Sequence, residues 1–273
     1  MRLRGWRWFA APAAALFTAF WLLPMVKLAT LGAHDIDGRS AYMHVLTDLR
    51  YWRSLLNTVG LSLGASLLTV ILAVPVGRFL ARHPHFPGRR LVMGLIAFPL
   101  AFPGVVVGFL IILLGGRQGV VGQAARALGA EPIVFAYGMA GLFLGYLYFS
   151  LPRAVGVLTA AAEGIDTSLL EAGQTLGAGP WRRFIDIELP ALAPAVTAAG
   201  AMCFATSMGA FGTVFTLGTQ IDVLPMTIYN EFTNYANIPV AAALSIVLGA
   251  VTWAVLYGAQ AIAGRGAHTG GAA

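Results

Sequence analysis

The chain has 273 residues, 58% of them hydrophobic and 10% charged, with a mean hydropathy of +0.78. A soluble domain carries about 25% charged residues, so the composition excludes an ordinary soluble domain and indicates an integral membrane protein. The one cysteine, Cys203, excludes an intramolecular disulfide and a thiolate metal cluster, and it reads as a small core residue within an apolar run.

A hydrocarbon core of about 30 Å takes roughly 20 apolar residues per helix. Runs of that kind occur at Phe9–Thr30, Leu55–Val76, Leu91–Leu114, Ile133–Pro152, Ala191–Leu217 and Val240–Ala263. The first follows Arg2, Arg4 and Arg7, as a signal peptide would. It is longer than the roughly 7–15 residues of a signal h-region and has no clear A-x-A site, so a retained span is expected. Lys27, the only lysine, fits a snorkelling residue at the outer interface. Internal prolines such as Pro24, Pro99 and Pro103 are compatible with membrane helices, where neighbours re-satisfy the backbone. His83 and His85 flank Pro84 in a basic loop; no third ligand adjoins them, and a solvated loop is expected rather than a metal site. The expectation is an all-α integral membrane fold of six transmembrane helices. It divides into an N-terminal helix and outer segment (1–54), a permease domain (55–263) and a short tail (264–273).

Six spans put both termini and the second and fourth loops on one side. That side collects Arg2, Arg4, Arg7, Arg78, Arg82, Arg89, Arg90, Arg153, Arg182, Arg183 and Arg265, which is 11 of the 17 basic residues, against five acids. The other side holds Lys27, Arg39, Arg50, Arg53, Arg117 and Arg126 with six acids. The Lys/Arg excess in short loops orients membrane helices, so cytoplasmic termini are expected. The basic balance is then a topology signal that needs no nucleic acid. A Walker A loop requires a lysine beside its glycines, and Lys27 has no such setting, so any ATP must be bound by another chain. The six runs as drawn contain no Asp, Glu, Arg or His. This opposes an ion-coupled secondary carrier, and it also leaves no acid–base pair for intramembrane hydrolysis. A structural or assembly protein without transport is the remaining rival. No cofactor and no metal site are expected.

Between the fourth and fifth runs, residues 163–190 read as two short helices. Asp166 or Thr167 can cap the first, and Ser168 with Glu171 has the capping-box spacing. Leu169, Ala172 or Gly173, and Leu176 fall on one face. Gly177 suits a C-cap with φ > 0, and Pro180 suits the first turn of the next helix. Trp181, Phe184 and Ile185 give that helix an apolar side, with Arg182 and Arg183 expected in water, and Leu189-Pro190 marks entry to the fifth span. A short helix with one apolar face fits either docking into a partner's groove or packing as a linker under the bundle.

The pattern Glu171-Ala172, Gly177, Ile187, Leu189-Pro190 resembles the EAA motif of binding-protein-dependent ABC importer permeases, the type I or MetI-like family. Gly173 departs from the alanine usual at the motif's third position. Asn57-Thr58 and the Arg78–Arg82 stretch resemble the start of the family's permease domain, and Gly116-Arg117-Gln118-Gly119 resembles the outer loop of its polyamine, thiamine, iron and sulfate branches. The resemblance implies a coupling helix between helices 4 and 5, seated on an ABC ATPase dimer through Glu171, Ala172, Gly173, Leu176, Gly177, Ile187, Leu189 and Pro190. It also implies a second permease subunit, identical or homologous, a periplasmic or lipid-anchored solute-binding protein, and a multi-pass bacterial inner-membrane location.

Span five is the most polar, and Thr206, Ser207 and Thr213 are its candidate pore-lining residues; small and hydroxylated residues also serve helix packing. The segment Gly218–Pro239, with Asp222, Tyr229, Glu231, Asn234 and Tyr235, suits either a receptor surface for a binding protein or an interfacial loop. Phe211-Gly212-Thr213 and Leu217-Gly218 resemble polyamine and iron permeases, while Leu224–Glu231 resembles sulfate and molybdate permeases. The resemblance implies a polyamine such as spermidine or putrescine first, and an oxyanion, iron(III) or phosphonate as the alternative.

Overall fold

The structure is a computed structural model that describes the backbone of residues 6–36, 39–218 and 221–269, and side chains within 11–34, 40–218 and 221–261. Of the charges that orient the spans, Arg2, Arg4 and Asp37 (one of the six acids of the outer side) lie outside the described residues, as do the side chains of Arg7, Asp35, Arg39 and Arg265. The described residues are almost entirely helical. Turns and short loops join the helices, and the one ladder among the described residues is antiparallel, between β1 (Asp35–Ile36) and β2 (Arg39–Ser40). Among the described residues six helical stretches are long and apolar enough to cross a bilayer: Ala11–Gly32, Leu49–Arg82, Gly104–Ala127, Met139–Glu163, Pro180–Met208 and Ile238–Ala261.

Several of these differ from the sequence expectation, and proline accounts for most of the differences. The expected third span, Leu91–Leu114, is α5 (Arg89–Ala97) and α6 (Gly104–Gly115), joined by a 3-10 turn at Phe98–Ala101. Pro99 and Pro103 remove two backbone donors, and Phe102, which precedes a proline, is pushed to an extended conformation (φ −94°, ψ 129°). After α6 a turn at Gly116–Gly119 leads into α7 (Val120–Ala127). The fourth span begins at Met139 rather than Ile133, because the Phe135 and Ala136 amides are held by the Gly115 carbonyl (3.0 and 3.1 Å) in an extended segment. It then continues through Pro152 as α8 (Met139–Glu163). Arg153 and Glu163 therefore lie on a spanning helix, which corrects the expectation of charge-free spans. Likewise α4 (Leu49–Arg82) runs past Val76 and carries Arg78 and Arg82.

The fifth span is also redrawn. Helix α10 (Pro180–Arg183) passes through a π turn at Phe184–Glu188 straight into α11 (Leu189–Met208). Leu189-Pro190 thus lies inside the helix instead of opening it, and the helix stops at Gly209, before α12 (Phe211–Leu217). In this π turn the Leu189 amide bonds to the carbonyl of Phe184, five residues back, immediately before Pro190. The N-terminal helix does the same: α1 (Trp6–Phe17) and α2 (Leu23–Gly32) are joined by a π turn whose Leu23 amide bonds Thr18, immediately before Pro24. A proline ring collides with the carbonyl four residues back in a regular helix; one widened turn moves that carbonyl aside and keeps the helix continuous.

The chain divides into two compact units. One comprises Met1–Leu56 and Asp222–Ala250. Within it, α3 (Ala41–Thr47) is capped by Ser40, whose hydroxyl accepts from the Met43 amide, and Gly32 leaves room for the Tyr42 ring. Helix α13 (Leu224–Tyr229) continues as a π turn over Asn230–Asn234. Glu231 on this turn is buried and accepts hydrogen bonds from Tyr51 (3.1 Å) and Arg50 (3.4 Å).

The other unit comprises Asn57–Ile221 and Val251–Ala273, the last part continuing α14 (Ile238–Thr269). Its core brings together Ala73 and Leu80 of α4, Ala154, Val155 and Leu158 of α8, and Ala199 and Cys203 of α11. A Cβ at Gly77 would meet the Leu158–Thr159 backbone at 3.0 Å, so glycine sets the closeness of the α4–α8 crossing. Thr213 of α12 is buried where α6 and α8 meet it, its hydroxyl donating to the Gly104 carbonyl (3.1 Å) and its methyl facing Gly145.

Candidate functional site

Two places in the second unit carry chemistry. The first is the bracket after α8. Helix α9 (Thr167–Thr175) begins on Asp166, whose Oδ1 accepts from the Ser168 amide (2.9 Å). That amide holds the Asp166 carboxyl below its ordinary value. Asp166 is therefore the cap, and Ser168 sits inside the first turn instead of forming a capping box with Glu171. At the other end Gly177 has φ +79°, with the Ala178 amide on the Gly173 carbonyl (3.0 Å) and the Gly177 amide on Gln174 (2.9 Å). These two bonds form a Schellman cap. A Cβ at Gly177 would meet open space, so its backbone conformation alone calls for glycine. Pro180 occupies the first turn of α10.

The chain thus doubles back, and Gly173 meets Ile187, where a Cβ would lie 2.9 Å from Ile187 Cδ1. The missing methyl at the motif's third position is space that Ile187 uses. The Arg183 stem also covers Gly173, and its Nη1 donates to Gln174 Oε1 (3.2 Å), so Arg183 is packed against α9 instead of free in water. Arg182 stays exposed, paired with Asp186 at 3.6 Å. Glu171 and Ala172 on α9 and Leu176 and Gly177 at its end are exposed, and Leu189 and Pro190 are exposed further along. Leu176 is 88% exposed, Trp181 72% and Leu169 54%. Three large apolar side chains in water on so short a segment form a surface suited to a partner.

Sequence reasoning missed what anchors this bracket. Glu188 is 2% exposed and bonded by Arg78, through Nε and Nη2, and by Arg82. The Arg78 guanidinium also lies over the Phe184 ring at 4.8 Å. A signal was present: Arg78 and Arg82 are four apart, hence on one helix face, and Glu188 is a lone carboxylate in an apolar stretch, which requires a partner. Near the start of α9, Arg89 of α5 pairs with Glu163 of α8 at 3.1 Å.

The second place is a cavity of 320 Å³. Phe102, Gly104 and Val105 line one part of it, Phe149 and Arg153 another, and Thr206 and residues 209–213 the rest. Of the three candidate pore residues it brings Thr206 and Thr213 together, despite the helix break at Gly209. Ser207 is fully buried and lies outside that lining. Arg153, noted in the sequence only for its charge, is the single charged residue of the lining. No group of three or more His, Cys, Asp or Glu side chains placed to hold a metal exists among the described residues.

Residues 73–267 match the family described as binding-protein-dependent transport system inner membrane component. The molybdenum transport system permease protein ModB of Escherichia coli K12 is 34% identical over 210 residues, covering 74% of this chain and 89% of that protein. The thiamine transport system permease protein ThiP of Brucella abortus is 31% identical over 211 residues, 77% of this chain but 39% of that longer protein. PhnU of Salmonella choleraesuis, named for 2-aminoethylphosphonate transport, is 29% identical over 253 residues, 90% of this chain and 88% of that protein. A bacterial ABC transporter involved in import of the acidic polysaccharide alginate has the same fold, with a TM-score of 0.73 at 20% identity over 96% of both chains.

Proposed function

Because this chain belongs to the family of binding-protein-dependent transport system inner membrane components, we propose that it forms half of a translocation pathway whose ATP is hydrolysed on a separate subunit. The observation that carries this reading is the capped α9–α10 bracket, with Leu169, Leu176 and Trp181 in water and Glu188 bound to α4. In this reading Glu171, Ala172, Gly173, Leu176, Gly177, Ile187, Leu189 and Pro190 form or support the surface that seats on an ATPase dimer. A second permease subunit completes the pathway and a solute-binding protein delivers cargo to the opposite face. In this reading the chain spans a bacterial inner membrane with both termini cytoplasmic, which the Lys/Arg excess of one side supports. Joint substitution of Glu171→Lys and Gly177→Leu is expected to abolish co-purification with the ATPase, and unchanged co-purification refutes the assignment.

For the cargo, the sequence resemblances put a polyamine first. The similar proteins named above are those of molybdenum, thiamine and 2-aminoethylphosphonate transport. Two of these three cargoes are oxyanion or phosphonate chemistry, so support passes to that alternative. A cargo of this class predicts a binding protein whose pocket is rich in main-chain N–H donors, whereas a polyamine predicts an acidic, aromatic-lined pocket.

A further inference from the structure

We propose that the cavity at Arg153 is a binding site for a small anion on its way through this subunit, with the Arg153 guanidinium as its charge-recognising group. The proposal rests on the permease reading above and adds to it the site and the sign of the cargo.

At 1.5 Å per residue, Arg153 lies about 21 Å along α8 from Met139 and about 15 Å from Glu163. It is thus well inside a helix long enough to span a hydrocarbon core of about 30 Å. A cation at such depth is costly unless it pairs with a carboxylate, finds carbonyl oxygens or faces a polar cavity. Arg78 and Arg82 take the first route through Glu188, and Arg89 takes it through Glu163. Among the described residues Arg153 makes neither an ion pair nor a side-chain hydrogen bond, and its guanidinium lies 5.9 Å from the centre of the Phe149 ring. It opens instead on the 320 Å³ cavity.

The cavity has the composition of a site that holds an anion weakly. Arg153 is its only charged lining residue, with no carboxylate to attract a polyamine. The Thr206 hydroxyl and the first turn of the twelve-residue α6, at Gly104 and Val105, border the same space. Their contribution is secondary: a hydroxyl that can turn toward an oxygen, and the positive end of the α6 peptide dipoles. The guanidinium presents a planar fork of N–H donors that matches tetrahedral oxyanions and phosphonates. One cation without further built ligands suits passage, since a conducted solute must also leave.

The test is a direct binding measurement on the full chain purified in neutral detergent at constant ionic strength. The thermal shift is recorded against molybdate, 2-aminoethylphosphonate and, as the opposite sign, spermidine. Saturable stabilisation by at least one anion and none by spermidine is expected. Arg153→Gln is expected to weaken it about tenfold or more, as befits loss of a charge-assisted hydrogen bond, while Arg153→Lys keeps part of it. Stabilisation by spermidine alone, by neither anion, or equally in R153Q overturns the proposal. Phosphatidylglycerol that abolishes the anion's effect assigns the guanidinium to a lipid headgroup and also overturns it. If R153Q unfolds, protection of Arg153 in the parent protein from phenylglyoxal by the same anions replaces the variant, and absence of protection is the refuting result. The proposal fails on these readouts alone, whereas failure of the permease reading appears in the ATPase co-purification of the Glu171 and Gly177 variant.

Discussion

Replacing Glu188 by Ala removes the carboxylate that two arginines share. Glu188 is 2% exposed, and its oxygens receive bonds from Arg78 Nε and Nη2 and from Arg82. Three charge-assisted bonds at about 1.5–3 kcal/mol each would sum to more than the variant can lose, because the freed guanidiniums regain water. The Arg78 and Arg82 side chains are already 27% and 39% exposed, unlike the fully enclosed pairs whose rupture costs about 3–5 kcal/mol. The expected loss is therefore about 2–3 kcal/mol. At about 2–4 °C per kcal/mol for a chain of this size, Tm in detergent falls by roughly 5–10 °C. Glu188→Gln keeps one acceptor and the shape, and is expected to fall by about half as much. A further check is additivity: R78M added to E188A should cost less than R78M in the parent, because the first change has already broken the shared contact. An E188A protein that melts within about 1 °C of the parent refutes the idea that this cluster fastens α4 to the helix behind the bracket.

Two smaller perturbations address the bracket itself. Gly173→Ala gains about 0.8–1 kcal/mol of helix propensity but puts a methyl 2.9 Å from Ile187 Cδ1, the movable end of its side chain; near-neutral stability is expected. Gly173→Leu forces Ile187 out and is expected to lower both Tm and ATPase co-purification, with I187A restoring part of each. The Asp166 cap predicts a pH dependence with a definite sign. Its carboxyl is held below its ordinary value of 3.8, so the cap stabilises α9 above that pH and is lost as pH falls through the lowered folded value. Amide exchange at Ser168, followed from pH 6 down to pH 3, reads this; D166N, which keeps an acceptor oxygen without titrating, is expected to flatten the profile.

Local signals in this chain were legible because their causes are local. Apolar runs placed six spans, the Gly177 φ requirement placed the end of α9, and Pro180 opened α10. What escaped was decided by distant partners or by tolerance of proline. Pro152 and Pro190 look like helix boundaries in one dimension, yet α8 passes the first and a π turn admits the second. In consequence Arg153 was placed in a loop, when it lies on a spanning helix. The Glu188 cluster joins residues 110 and 106 apart in sequence, and no periodicity reports such a pairing. Gly173, a departure from the expected alanine, became intelligible only with Ile187 beside it.

Three arginines of the spanning helices, Arg78, Arg82 and Arg153, fall into two kinds, and the difference bears on function more than their number does. Arg78 and Arg82 are bound to a carboxylate of their own chain, so they fix one helix against another and offer no free charge. Retaining such a cluster is weak evidence for stability, since apolar packing serves as well, but it does hold two elements in one register at the end where the bracket begins. Arg153 has no such partner and borders open space. A chain that neutralises two intrahelical arginines with its own carboxylate, and leaves a third facing a cavity, has the means to satisfy a buried cation and has not applied it there. An external anion completes that third arginine, and the cavity is where one can reach it.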